Sequence, residues 1–226
     1  MRKGNRKLAA LGALLCASLG VTLALLALEG RWQEAIPLHL CSLSALAAIA
    51  LAFSSRQALL DFLWYLGMPG AALALVFPAP AASRLQALLN ASYVVTHALI
   101  LVIPALCMAR GMRPRKGKSL SMMGVLLAAA AVAGAVNRRL GTDFLFLAAP
   151  PAGTPLEAVF AAGYAVYLLF LFAMMLTLCL IMDALAGKTV KTGMMPAASP
   201  TKCCQSRCFA NEAGALQKDL QSKRRK

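Results

Sequence analysis

A series of long apolar runs between Leu8 and Leu185 constrains this chain more than any other feature. A helix that crosses a bilayer needs roughly 20 mostly apolar residues. Segments 8–28, 36–53, 59–77, 88–108, 120–136 and 159–185 meet or approach that length, with 36–53 and 120–136 short enough to draw on their flanks. None of them alternates polar and apolar residues as the strand of a membrane barrel would, so each reads as a helix that satisfies its own backbone hydrogen bonds in hydrocarbon. Hydrophobic residues make up 60% of the 226 and charged residues 14%, against about 45–50% and 25% in soluble domains. The expected fold is all-α: a polytopic membrane protein built as a six-helix transmembrane bundle. Segment 8–28 is longer than the core of a signal peptide and is followed by no small-residue cleavage motif, so it is expected to be retained.

A net charge of +15 would suggest nucleic acid if it were spread over a surface. Its distribution says otherwise. With the N-terminus assigned to the cytoplasm, 19 of the 23 Lys and Arg fall on the cytoplasmic side and 4 outside; without the tail after Leu185 the split is still 10 to 4. That is the positive-inside asymmetry, which predicts a multi-pass protein of the cell membrane with both termini cytoplasmic and Arg31, Arg84 and Arg138 outside. The basic balance therefore reports orientation and attraction to anionic lipid, and no nucleic-acid partner is expected. The chain divides into a membrane domain, 1–187, and a basic cytoplasmic tail, 188–226, whose composition predicts disorder. Cys203, Cys204 and Cys208 in that tail have no nearby histidine and no zinc-ligand spacing. Neither a metal site nor a cofactor is expected, and no internal repeat stands out.

Polar side chains within apolar spans are costly and tend to face a cavity or a partner. The second segment offers His39, Cys41, Ser42 and Ser44; the third Asp61; the fourth Asn90, Ser92, Tyr93, Thr96 and His97. Asn137 and Asp143 follow the fifth. At about 1.5 Å per residue, Cys41 lies roughly 8 Å below Ile36 and His97 roughly 13 Å below Leu88. Both are then in the outer half or near the midplane. His39 stands about 200° around a helix from Cys41 and is poorly set to serve it. His97, from another helix, can accept the Cys41 proton and leave a thiolate able to attack an acyl carbonyl. The expected site is a polar cavity in which Cys41 and His97 are catalytic, supported by His39, Ser44, Thr96, Asn137 and Asp143. On the residues alone, a structural role for Cys41 like that of Cys16, Cys107 and Cys179 stays open. So do a transport pathway and a haem held between His39 and His97.

The stretch Pro37-Leu-His-Leu-Cys-Ser-Leu-Ser44 resembles the second-helix signature of the YwaF-like integral membrane proteins. Asp61 followed by Phe62-Leu-Trp-Tyr-Leu-Gly67, then Thr96-His97-Ala-Leu-Ile100, Gly111-Met-Arg-Pro114, and Asn137 followed by Leu140-Gly-Thr-Asp-Phe-Leu-Phe-Leu147, resemble further elements of that family in the same order. The YwaF-like family is similar to a eukaryotic ether-phospholipid transmembrane acyltransferase, and more distantly to six-helix fatty-acid-ester hydrolases. The resemblance implies a nucleophile at Cys41, a base at His97 and membrane-lipid acyl chemistry, with a phospholipid or acyl chain as substrate. Two positions depart from the family pattern: Asp143 stands where Asn is usual, and Ser42 where an acidic residue is frequent. The alternative is a non-catalytic membrane scaffold, lipid-binding protein or transporter. The Ala-rich fifth segment permits close helix packing within or between chains, so the oligomeric state stays open.

Overall fold

The computed structural model describes residues 3–78 and 85–192, with side chains over 6–78 and 85–187. Among them there is no strand. In order, the chain forms α1 (Lys3–Leu28), α2 (Leu40–Ser54), α3 (Gln57–Phe62), a π-helical turn (Leu63–Gly67) and α4 (Met68–Val76). Then come α5 (Gln86–Ala109), α6 (Ser119–Leu140), a 3-10 turn (Phe144–Phe146), α7 (Leu156–Ala161) and α8 (Tyr164–Thr192). These belong to one compact unit, Met1–Val190, apart from the last two residues of α8, which begin the second unit, Lys191–Lys226; residues 193–226, with the tail cysteines, lie outside the described residues.

Among the described residues, five spans are long and apolar enough to cross a membrane: Arg6–Leu28, Gln57–Val76, Gln86–Ala109, Ser119–Leu140 and Tyr164–Gly187. The chain is a multi-pass, all-helical membrane protein. The expected second span is the short one. Instead of starting near Ile36, α2 begins at Leu40, because Pro37 disfavours helical geometry in the residue before it and His39 stays extended (φ −67°, ψ 147°). Its 15 residues reach about 22 Å, short of a hydrocarbon core about 30 Å thick. The expected last span, 159–185, is also divided. Gly163 adopts φ +126°, a conformation open to glycine, and separates α7 from α8.

In hydrocarbon, helices are held by close packing and hydrogen bonds rather than by burial from water. Helices α1, α2, α3–α4 and α5 form the central bundle around Leu15, Ala48, Leu51, Leu63, Ile100 and Ile103. Small residues bring α1 against α2: a Cβ added to Gly12 would lie 2.8 Å from the Ala52 Cβ. A chain of hydroxyls joins α1 to α5. Ser18 Oγ is 2.9 Å from Thr96 Oγ1 and 3.0 Å from Ser92 Oγ, Thr22 Oγ1 is 2.6 Å from Ser92 Oγ, and Ser92 donates to the Ser18 carbonyl at 2.8 Å.

A second cluster, of Trp64, Tyr65, Leu66, Met123, Cys179 and Ala186, attaches α6 and α8 to the π turn. There Trp64 Nε1 donates to the Met182 carbonyl at 2.9 Å, and the Tyr65 hydroxyl donates to Asp183. The same end holds Asp61, fully buried and accepting from Arg115 Nε (2.6 Å), Arg115 N (2.9 Å) and Gln57 Nε2 (3.0 Å). These bonds fasten the basic loop 110–118 across the helix ends. Of the cysteines expected to be core, Cys107 and Cys179 are buried, whereas Cys16 is exposed on the outer face of α1.

Candidate functional site

A cavity of about 180 Å³ opens at the end of the bundle that carries the α1–α2 connection. Leu19 and Leu26 of α1 and Leu89 of α5 form its apolar wall. Its polar lining comes from Thr22 on α1, Arg31 in the connection, Cys41 and Ser42 in the first turn of α2, and Asn90, Tyr93, Thr96 and His97 on α5. Residues 90, 93 and 97 are spaced three and four apart, which sets them on one face of α5. Cys41 and His97, singled out in the sequence from different helices, thus line the same space, and Thr96 lines it with them.

The tautomer of His97 is fixed by its own helix. Its Nδ1 lies 2.7 Å from the Tyr93 carbonyl oxygen, one turn back. A carbonyl can only accept, so Nδ1 carries the proton and Nε2 keeps its lone pair. The ring packs on Tyr93 with centroids 4.1 Å apart, and the Tyr93 hydroxyl donates to the Ala74 carbonyl at 2.8 Å. A neutral imidazole with one nitrogen committed and the other available is the form a general base takes.

Cys41 sits at the second position of α2. The first N–H groups of a helix have no carbonyl one turn back, and His39 makes no side-chain cap to satisfy them. The N–H groups of Leu40, Cys41 and Ser42 therefore have no partner within the helix, and the Cys41 side chain leaves the backbone in that first turn, at the positive end of the helix dipole.

Arg31 adds a cation to the lining. Its Nε and one terminal nitrogen donate to the two carboxylate oxygens of Glu34 at 2.9 and 2.6 Å, and another nitrogen lies 3.6 Å from Glu29. The hydrogen bond to Glu34 holds the guanidinium firmly protonated.

Four of the expected supporting residues, His39, Ser44, Asn137 and Asp143, are not among those that line the cavity. The His39 ring packs edge-on against Phe144, centroids 5.0 Å apart, and beside Phe146 at 5.8 Å. Ser44 faces the π turn: it is buried, its hydroxyl has no partner among the described residues, and a Cβ on Gly67 would come within 3.2 Å of it. Asn137 closes the loop after α6, accepting from Phe144 N at 2.9 Å and donating to the Phe144 carbonyl at 3.1 Å. Asp143 accepts from the Ala148 and Ala149 amides at 2.8 and 3.3 Å. Short side chains next to unpaired backbone groups bond locally before they reach across a bundle. Asn137 and Asp143 thus hold the shape of loop 141–149, where Leu145 and Phe146 adopt positive φ, and neither lines the cavity.

Residues 2–183 match the TMEM164 family. The chain belongs to the TMEM164 family. No curated protein and no solved structure matches it. The stretch shared with the TMEM164 family takes in every helix that lines the cavity and ends at Asp183, within α8. It includes α1, whose part in the site sequence reasoning missed. Ser18 and Thr22 are four apart on one face of a helix, a spacing that could have flagged them. Arg31 was read only for orientation, although Glu29, Arg31 and Glu34 form a compact charged group between two apolar runs. Among the described residues no group of three His, Cys, Asp or Glu side chains could hold a metal ion.

Proposed function

We propose that the chain is a lipid acyltransferase or ester hydrolase of the cell membrane, with Cys41 as nucleophile and His97 as base. The observation that carries this reading is the shared cavity, in which a cysteine at a helix N-terminus faces the same space as a histidine whose Nδ1 is committed to the Tyr93 carbonyl. The resemblance to the YwaF-like proteins and their acyltransferase relative supports it independently, through Pro37–Ser44 and Thr96–Ile100.

In the first step, His97 Nε2 takes the Cys41 thiol proton while sulfur attacks the acyl ester carbonyl. The tetrahedral oxyanion is stabilised by donors at the start of α2, among them the Cys41 and Ser42 N–H groups. Collapse breaks the ester C–O bond; the imidazolium returns its proton to the departing alkoxide, leaving a thioester on Cys41. An acceptor hydroxyl then gives its proton to His97 and attacks the thioester, and the thiolate departs to be reprotonated. A lipid alcohol as acceptor gives transfer; water gives hydrolysis. Leu19, Leu26 and Leu89 provide an apolar wall for an acyl chain.

In this reading the short α2 counts as a sixth crossing, so that both termini are cytoplasmic and the cavity faces outward. The test uses full-length protein in detergent with an acyl-chain electrophile. Cys41 should label faster than Cys107 and Cys179, and His97→Ala should remove that advantage. Cells carrying Cys41→Ala should differ in lipid acyl composition. Equal labelling of the three cysteines together with unchanged lipids would refute acyl chemistry and leave a lipid-binding protein without catalysis.

A further inference from the structure

The cavity is asymmetric in a way acyl chemistry does not require. Its inner part is apolar or uncharged, and among the described residues its one charged lining residue, Arg31, stands in the α1–α2 connection, beyond the last residue of α1 and before the first of α2. A cation where two membrane helices end is at headgroup depth. Its guanidinium is already presented as a two-pronged donor, since Nε and a terminal nitrogen bond both oxygens of Glu34. That fork matches a phosphate as well as a carboxylate.

We propose that Arg31 binds the phosphodiester of a lipid substrate, exchanging Glu34 for phosphate, and so selects phosphate-bearing over neutral glycerolipids. The assignment rests on the reading of the cavity as a lipid site. The geometry suits it: in a glycerophospholipid only the short glycerol backbone separates phosphate from acyl carbonyl, and here Arg31 and Cys41 line one cavity. Glu34 serves as the resting partner that keeps the fork formed between substrates. With Glu29 at 3.6 Å and Glu34 at 2.6 Å the group carries no net positive charge, so a phosphate is held by the geometry of the fork together with burial of the attached chain, and a free anion without a chain gains little there.

Protection of Cys41 from maleimide tests this without turnover. Full-length protein in a non-phospholipid detergent is titrated with lysophosphatidylcholine, with monoacylglycerol of the same chain, or with glycerophosphocholine. Alkylation of the Cys41 peptide is read by mass spectrometry. Lysophosphatidylcholine should protect at a concentration about ten- to a hundredfold lower than monoacylglycerol, the range of one charge-assisted hydrogen-bond pair. Glycerophosphocholine should not protect. Arg31→Gln should collapse the difference, Arg31→Lys should recover part of it, and Glu34→Gln, which frees the fork, should widen it. Equal protection by both lipids in the unaltered protein, an unchanged ratio in Arg31→Gln, or protection by the headgroup alone would overturn the assignment. The acyl-chemistry reading fails separately: there, His97→Ala would leave the alkylation rate of Cys41 unchanged whatever the lipid ratios.

Discussion

Substituting Arg115 by Ala should destabilise the protein more than most changes at a half-exposed residue. Asp61 is fully buried, while the Arg115 side chain retains 52% of its exposure. Removing one partner from a fully buried ion pair costs about 3–5 kcal/mol, and an exposed pair contributes about 0–1 kcal/mol. Here the deleted partner is half-exposed, but the carboxylate left behind is buried and, among the described residues, keeps two neutral donors, Arg115 N and Gln57 Nε2. The expected cost is about 2–3 kcal/mol, between those limits. Asp61→Asn added to Arg115→Ala removes the uncompensated charge and should recover about half of the loss, so the two changes couple strongly. Equilibrium unfolding in mixed micelles reads this directly. Trp64 reports on the same end of the bundle through its bond to Met182, and a Trp32→Phe background leaves it as the single tryptophan. A loss within about 0.5 kcal/mol, the range of ordinary surface changes, or strict additivity in the double variant, would refute the argument that a stranded carboxylate sets the cost.

Ser44→Ala should stabilise the protein by about 1–2 kcal/mol, because it removes a buried hydroxyl with no partner; a loss of stability in the same unfolding assay would contradict this. Gly12→Ala should cost about 1–3 kcal/mol, since the new Cβ meets a Cβ of Ala52 that has no rotamer to yield; an unfolding midpoint equal to that of the unaltered protein would show that α1 and α2 separate freely. Tyr93→Phe should cost about 0.5–1.5 kcal/mol through its lost bond to the Ala74 carbonyl yet leave Cys41 alkylation near its original rate. Tyr93→Ala, which removes the ring beneath His97, should slow that alkylation, and equal rates in the two variants would show that the ring does not position the histidine.

The helices were legible because their signal is local: an apolar run of sufficient length has few alternatives in a membrane. The boundaries that differ, at Leu40 and Gly163, are where a single proline or glycine overrides the run around it. That Cys41 and His97 line one cavity could be anticipated from depth along the chain. Depth alone, however, also grouped them with Asn137 and Asp143, which lie toward the same end but spend their hydrogen bonds on their own loop. Which side chains meet around the bundle axis depends on helix rotation and neighbour order. Neither is written in a hydropathy profile, which is why the place of Thr22 and Arg31 in the cavity lining required the three-dimensional arrangement.

The π turn at Leu63–Gly67 bears on how variation in such proteins is to be interpreted. All five of its residues are buried, so the chain is enclosed there on every side, touching α2 through Gly67 and α8 through Trp64 and Tyr65. A position enclosed all round tolerates few replacements whatever the protein does. Among relatives, Trp64, Tyr65 and Gly67 should therefore be as invariant as any residue that touches substrate. Anyone ranking positions by constancy alone would be drawn to this turn and away from the cavity that Cys41 and His97 line. Constancy around the turn measures enclosure, and only constancy along a cavity wall bears on chemistry.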